Sequence, residues 1–165
     1  MLAPRKKLWT TPECAYPVIG ELLELTENDI LVDFGCGKAN VLRYLTSSFA
    51  CRSIGYEVNS ERCALALELC EKENVSDKIT VLNESALDAD FSLPNKVYMF
   101  LIDRGLKIMF PLINEAAKNR EGGIQVVTSM YSFANIKPEV TKKVVVNKDI
   151  KWNLYYYQFP YDDIL

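Results

Sequence analysis

Residues 30–39, Ile-Leu-Val-Asp-Phe-Gly-Cys-Gly-Lys-Ala, decide the fold of this chain. Residues 30–34 form a short apolar run of the kind that fills a central strand of a parallel sheet, and Gly35-Cys36-Gly37 ends it. Small residues after such a strand let the backbone approach a ligand closely, and the helix that follows offers free amide groups. The stretch therefore predicts a buried strand, a tight turn and a ligand site directly after the turn.

An alternation of strand and helix extends on both sides of this stretch. Helices are predicted over residues 11–25, 39–48, 59–73 and 106–120, and further strands over 52–57, 79–82, 96–102 and 124–129. Thr11 is the expected N-cap of the first helix, with Pro12 at its first position. Two strand-like runs, 139–146 and 152–159, then follow each other without a helix between them. This order predicts an α/β fold, a three-layer αβα Rossmann-like sandwich whose mostly parallel seven-stranded sheet ends in an antiparallel C-terminal hairpin.

The length of the chain fits one domain with a sizeable core. It has 165 residues, of which 49% are apolar and 25% are charged. We expect a single domain over residues 1–165, with an N-terminal segment and helix over 1–29, a cofactor-binding core over 30–129 and a C-terminal hairpin over 130–165.

The composition excludes several classes of function. The chain contains no histidine, which removes Ser-His and Cys-His nucleophile pairs and histidine-based metal sites, so no metal site is expected. Lys plus Arg number 19 and Asp plus Glu 22, a net charge of −3 that argues against a dedicated nucleic-acid or membrane-surface protein. A local basic patch stays compatible with this balance.

Cysteine usage and hydropathy predict the compartment. The five cysteines are odd in number, lie in apolar stretches and form no Cys-x-x-Cys pair, as in proteins of reducing compartments. No apolar run approaches the roughly 18 residues of a membrane span. The first seven residues are too short and too polar for a signal peptide. We therefore predict a cytoplasmic or nuclear protein without a membrane span.

An acid at the end of the second predicted strand indicates the type of ligand. Glu57 lies 22 residues beyond Gly35, the distance at which an acid accepts hydrogen bonds from the hydroxyls of an adenosine ribose. Asn40 stands where the dinucleotide fingerprint has its last glycine, so an NAD pyrophosphate fits poorly. Asp33 would repel a phosphate but suits the ammonium of an amino-acid moiety. S-adenosylmethionine combines that ammonium with an adenosine.

These motifs resemble the class I, seven-strand S-adenosylmethionine-dependent methyltransferases. Residues 32–39 stand where that family has its Asp-x-Gly-x-Gly-x-Gly loop, residues 55–59 resemble its ribose-binding segment, and residues 83–87 its adenine-contacting loop. The resemblance implies S-adenosylmethionine as cofactor. The residues that it implies bind the cofactor are Asp33, Gly35, Cys36, Gly37, Glu57, Val58, Ser85, Ala86 and Phe100.

More narrowly, the chain is similar to the compact single-domain protein-lysine methyltransferases of archaea and mitochondria. The similarity extends from Trp9 to about Phe159 and includes residues 10–13, 97–102 and the tyrosines of 155–157. It implies a protein lysine as the methyl acceptor. The chain departs from this subfamily at residues 102–105 and 130–133, two segments expected to face the acceptor.

A lysine acceptor must lose its proton before it can attack a methyl group. An aromatic-lined channel lowers the pKa of an amine by desolvation and contacts its cationic form through the ring faces. The candidate walls of such a channel are Trp9, Tyr16, Phe100, Tyr131 and Phe133. Asp103 and Tyr131 are the candidate catalytic residues, with the role of orienting the acceptor.

Two alternatives stay open. Residues 137–151 carry five lysines against Glu139 and Asp149, a local charge of +3 that suits the phosphates of a small RNA acceptor. The same lysines also suit a solvated edge hairpin, because charge on an edge strand discourages pairing with other sheets. A non-catalytic binding subunit with a methyltransferase fold is the second alternative. The oligomeric state is left open by the sequence.

Overall fold

A computed structural model describes residues 9–162 of the chain as a seven-stranded sheet with helices on both faces. Residues 1–8 of the predicted N-terminal segment and the last three residues of the hairpin segment lie outside the described residues. The strands are β1 (Ile30–Phe34), β2 (Arg52–Tyr56), β3 (Ile79–Leu82), β4 (Lys96–Met99), β5 (Ile124–Ser129), β6 (Val140–Val145) and β7 (Lys151–Phe159). The helices are α1 (Tyr16–Leu22), α2 (Asn40–Phe49), α3 (Ser60–Lys72) and α4 (Asp103–Lys118).

The strand order is β3-β2-β1-β4-β5-β7-β6. β1 to β5 pair in parallel, and β7 inserts antiparallel between β5 and β6. The order reverses at β1, because the chain moves outward to β3 and then crosses back to β4. The predicted fold class, with its antiparallel C-terminal hairpin, is confirmed.

The core consists of two apolar layers, one on each face of the sheet. Side chains of α1, α2 and α3 form one layer with residues such as Leu31 and Leu154, while α4 forms the other with residues such as Val97 and Tyr157. Most strand positions of β1, β4 and β5 are buried, as expected for central strands covered on both faces. Among residues 9–162, no helix has the length and apolar character needed to cross a membrane.

The first helix differs from its prediction. Residues 13–15 form a 3-10 turn, and α1 begins only at Tyr16, so Thr11 does not cap it. The Thr11 side chain instead forms a 2.5 Å hydrogen bond with the Tyr98 hydroxyl in the core. The predicted end at Leu25 is also too late, because Glu24 adopts a left-handed conformation and the Leu25 amide bonds to the Gly20 carbonyl, closing a Schellman motif.

The junction between β4 and α4 also differs from its prediction. The strand ends at Met99 rather than Ile102, and the helix begins at Asp103 rather than Leu106. Ile102 has extended backbone angles and precedes the first helical turn. Asp103 is therefore an exposed first-turn residue, where its negative charge interacts favourably with the helix dipole.

Candidate active site

A cavity of about 380 Å³ opens at the carboxyl edge of β1, β2 and β4. Parallel strands bind ligands at this edge, next to the point where the strand order reverses. Its volume lies in the range of small-molecule sites. The segments that line it are the turn after β1, the end of β2, the loop after β3, the junction of β4 and α4, and residues 9–11.

Glu57 is buried in this cavity with both carboxylate oxygens held by backbone amides. The Gly37 amide donates to Oε2 and the Asn59 amide donates to Oε1, each at 2.9 Å. The backbone amide of Glu57 donates to Leu82, and its carbonyl accepts from the Asn83 side chain. Each carboxylate oxygen retains a further lone pair, so the site offers two fixed acceptors to a pair of hydroxyls.

Asp33 is the second buried carboxyl group of the cavity. Only 4% of its surface is exposed, and among the described residues no group donates a hydrogen bond to it. Burial raises the pKa of Asp33 to about 8, and the neighbouring charge of Glu57 adds to the increase. A buried carboxyl group without a protein partner at the wall of a cavity suits a cationic group of a ligand.

The turn after β1 needs glycine for its backbone conformation. Gly35 has φ +92° and Gly37 has φ +59°, both in the region that disfavours side chains. The amides of Gly35 and Cys36 donate to the Tyr56 carbonyl at 2.8 and 3.0 Å, which fixes the turn to the end of β2. This contact brings the Gly37 amide to Glu57.

Cys36 contributes its backbone to the cavity, and its thiol packs inward. The sulfur fills the space beside Gly55, where a Cβ atom would lie 2.6 Å from it. Burial and the charges of Asp33 and Glu57 raise the pKa of this thiol, so it stays protonated and unreactive at neutral pH.

The loop after β3 forms a further part of the cavity wall. Ser85 caps a short 3-10 turn, and its hydroxyl accepts from the Leu87 amide at 3.2 Å. Val58, Ala86 and Phe100 add apolar surface to the cavity. All nine residues that the sequence assigned to cofactor binding therefore line one cavity.

The acceptor side is less closed than the cofactor side. Tyr131 is 37% exposed and stacks on Phe100, with ring centroids 6.5 Å apart, while Trp152 meets Phe100 edge-on at 5.1 Å. Neither Asp103 nor Tyr131 lines the cavity itself, although Arg104 and Gly105 do. Asp103 and Tyr131 thus flank the opening, and their catalytic role stays a prediction.

One proposed channel wall is wrong. Phe133 is buried in the layer beneath α4, between Phe110, Tyr157 and Phe159. Its backbone amide donates to the Tyr157 hydroxyl at 3.1 Å. It packs in the core because the chain turns inward after Tyr131. Trp9 and Tyr16, by contrast, do line the cavity.

The sequence of this chain is similar to sequences of known methyltransferases. No family model matches the chain. It is 26% identical to a protein-lysine N-methyltransferase of Saccharolobus islandicus (strain REY15A), over 81% of this chain and 82% of that protein. It is also 26% identical to a histone-lysine N-methyltransferase, H3 lysine-79 specific, of Dictyostelium discoideum, where it spans only 8% of the relative's length.

A solved structure matches almost end to end. It is an RNA methyltransferase from Salinibacter ruber in complex with S-adenosyl-L-homocysteine, with TM-score 0.83, 20% identity and coverage of 94% and 97% of the two chains. The chain has the class I methyltransferase fold.

Within this class I fold, a buried polar chain that the sequence did not reveal anchors the N-terminal segment. The Tyr98 hydroxyl bonds to Thr11 at 2.5 Å and to Ser129 at 2.8 Å, and the Trp152 indole donates to Ser129 at 3.2 Å. Residues 9–11 are thereby held at the cavity wall. No sequence signal distinguishes Tyr98 from the apolar residues around it, because the contact joins positions 87 residues apart.

Proposed function

We propose that this chain is an S-adenosylmethionine-dependent methyltransferase and that its acceptor is a protein lysine. The observation that carries the proposal is Glu57, a buried carboxylate held by two backbone amides and facing the same cavity as the unpartnered Asp33. This pair suits the ribose hydroxyls at one end of S-adenosylmethionine and the ammonium at the other.

The remaining cavity residues complement the other parts of the cofactor. Glu57 would accept hydrogen bonds from both ribose hydroxyls, and Asp33 would face the ammonium. Val58 and Ala86 would contact the two faces of the adenine, with the Ser85 hydroxyl at its edge. The bound cofactor supplies a methyl group on a sulfonium cation. The protein's part is to orient the acceptor and exclude water, because dispersal of the sulfonium charge needs no dedicated base.

A lysine acceptor requires an environment that favours the neutral amine. Its pKa of about 10.4 in water leaves it protonated at neutral pH. The ring faces of Phe100 and Tyr131 offer an apolar passage that favours loss of the proton to water, and Trp9 adds a further exposed ring at the cavity. We assign to Asp103 and Tyr131 the orientation of the amine at the opening.

Two observations support lysine over other acceptors. The two relatives described above are named as lysine methyltransferases, one of an archaeon and one specific for lysine 79 of histone H3. Beside Arg104, the opening carries the rings of Trp9 and Tyr131 and the carboxylate of Asp103, and these three groups complement a cationic acceptor.

A small RNA is the second candidate acceptor. The Salinibacter ruber protein, whose structure covers 94% of this chain, is named as an RNA methyltransferase, and the lysines of residues 137–151 are exposed. Among these fifteen positions, however, there is no aromatic or arginine side chain to stack on a base.

The deciding experiment is incubation of the purified protein with methyl-labelled S-adenosylmethionine and a cell extract, followed by parallel digestion with protease and nuclease. Label that protease releases and that is recovered as methyl-lysine supports the proposal. Label that nuclease releases would establish RNA as the acceptor instead.

The Glu57→Ala variant is the control for cofactor-dependent labelling. Label that is lost in this variant but kept in Glu68→Ala, an exposed glutamate of α3, identifies the cavity as the source of the methyl transfer. Cofactor binding by calorimetry without any label, with extract from several sources, would support the non-catalytic binding subunit.

A further inference from the structure

The tip of the C-terminal hairpin combines exposed aliphatic and cationic side chains. Val145 is 63% exposed, Ile150 50% and Val146 36%. They lie on both sides of the turn that joins β6 to β7, where the Val146 amide donates to the Ile150 carbonyl at 3.0 Å. These three side chains flank the turn formed by Asn147, Lys148 and Asp149 at the end of the hairpin.

Lysines surround this aliphatic group on both faces of the hairpin. Val145 pairs with Lys151, and Lys143 lies two residues before Val145 on the same face. Lys142 projects to the other face, and Lys148 lies in the turn. Among the residues that the structure describes, none of these four ammonium groups has a carboxylate within salt-bridge distance. Residues 142–151 contain these four lysines and one acidic residue, Asp149, so the tip has a charge of +3 although the whole chain has a net charge of −3.

The hairpin projects beyond the edge of the sheet where the cavity opens. Ser129, the last residue of β5, pairs with Leu154, and β7 begins three residues earlier at Lys151. At about 3.4 Å per residue, Lys151 lies about 10 Å beyond this pair on the carboxyl side. Trp152, next to Lys151, contacts Phe100 at the cavity. The tip and the opening of the active site thus face the same direction.

We infer that this hairpin tip, residues 142–151, docks the protein on an anionic lipid bilayer with the opening of the cavity towards the membrane surface. Aliphatic side chains at a convex turn enter the acyl region of the interface, while the surrounding lysines interact with anionic headgroups. Either contribution alone gives weak attachment, and the two together give a stable one.

The composition of the tip favours lipid over the other anionic partner. A nucleic acid is bound through aromatic rings and arginines that stack on bases, and the tip contains neither. Exposed valine and isoleucine side chains contribute nothing to phosphate binding. Their transfer from water into lipid is favourable, because it removes apolar surface from water.

Sedimentation with vesicles tests the inference without any methyl transfer, so it is independent of the proposed function. The full chain is mixed with vesicles of phosphatidylcholine alone and of phosphatidylcholine with phosphatidylserine, at low and high salt. We expect binding to the anionic vesicles only, and weaker binding as salt increases.

Paired variants identify the hairpin as the contact. Lys148→Gln with Lys151→Gln should weaken partitioning about 25-fold, since each lysine near an anionic surface contributes about fivefold. Val145→Thr, Val146→Thr and Ile150→Thr together keep the β-branched shape and should weaken it about tenfold or more. The matched controls are Lys72→Gln with Lys78→Gln, near the opposite edge of the sheet, and the exposed Leu67→Gln; both should bind as the parent does.

Circular dichroism and the thermal midpoint of each variant show that it is folded. Absence of binding to anionic vesicles at low salt would overturn the inference, as would binding that the hairpin variants leave unchanged. A single-stranded RNA oligonucleotide is tested in parallel. Binding of this RNA that depends on Lys148 and Lys151, without any vesicle binding, would assign the tip to nucleic acid and equally overturn the inference.

Discussion

The two halves of the active site are built in different ways. On the side of β1 and β2, Glu57 and the glycine turn are fixed by short backbone hydrogen bonds in the interior. On the side of β4 and β5, Phe100 and Tyr131 are held by ring contacts, and Asp103 is exposed to solvent. Backbone contacts hold a polar group in one position, which suits a ligand that never changes. Ring contacts at an open rim restrict the position of a bound group less tightly. This suits an acceptor, because the acceptor differs between enzymes of one fold.

Loss of the Glu57 carboxylate should have the largest effect. We expect Glu57→Ala to weaken S-adenosylhomocysteine binding by about 100-fold or more, because two charge-assisted hydrogen bonds are removed together. Isothermal titration calorimetry measures the change, with Glu68→Ala as the control. Unchanged affinity in Glu57→Ala would place the ribose elsewhere and remove the contrast between the two halves.

Asp33→Asn should separate ligand binding from stability. The pKa of Asp33 is raised to about 8 in the folded state. The folded protein therefore keeps a proton that the unfolded chain releases near pH 4. As a result, the wild type loses stability as the pH rises from about 4 to 8. Asparagine does not titrate, so the ligand-free variant should exceed the wild type by about 2 kcal/mol at pH 8 and by less at pH 5.

The same variant should bind S-adenosylhomocysteine about 30-fold more weakly at pH 8, because the ammonium loses an ionised partner. Urea denaturation at the two pH values and calorimetry at pH 8 measure both changes. A variant that is less stable than the wild type at pH 8 would show that the Asp33 carboxylate is not unfavourably buried.

Tyr131→Ala should affect only the side of the active site formed by β4 and β5, which faces the acceptor. We expect kcat/KM for the acceptor to fall about tenfold, because an exposed ring at the opening is lost, while the affinity for S-adenosylhomocysteine changes less than about twofold. Tyr131→Phe keeps the ring and should restore most of the activity. If Tyr131→Ala weakened cofactor binding as strongly as acceptor turnover, the two halves would not be separate.

Thr11→Val should have the smallest effect. It removes one hydrogen bond to the Tyr98 hydroxyl, which keeps Ser129 as partner, so the expected loss is about 1 kcal/mol of unfolding free energy. Urea denaturation measures this loss, and hydrogen exchange at residues 9–11 should accelerate. Tyr98→Phe, which removes both bonds, should cost more; an equal cost would show that the Thr11 contact does not stabilise the fold.

Much of the fold could be predicted because its signals are local. The strands over 30–34, 79–82 and 124–129 have the predicted bounds, since continuous apolar runs between turn residues define buried strands. Asn59, the first residue of the helix predicted over 59–73, caps α3 and accepts from the Arg62 amide at 2.9 Å. The division at residues 29 and 129 and the cytoplasmic or nuclear location stay predictions.

Two of the errors, at Thr11 and at Phe133, share one physical cause. Thr11 is a residue type that commonly caps helices, but its hydroxyl forms a hydrogen bond with Tyr98, which lies 87 residues further along the chain. Phe133 has an aromatic ring that could line a channel, but it packs against three aromatic rings in the core. In both cases a tertiary contact overrides the role that the residue type favours locally. Such long-range contacts cannot be recognised from the spacing of apolar residues in the sequence.

The sequence alone was sufficient to predict the strands β1, β3 and β5, the tight turn at Gly35–Gly37 and the place of Glu57 directly after β2. These features follow from local backbone sterics and from the period of apolar residues, which act within a few positions of the chain. Three features became visible only in the folded chain: Glu57 meets the Gly37 amide, Asp33 has no hydrogen-bond partner among the described residues, and the hairpin tip projects past the cavity. Those outcomes depend on strand pairing and burial between distant segments, which act only once the whole sheet has formed.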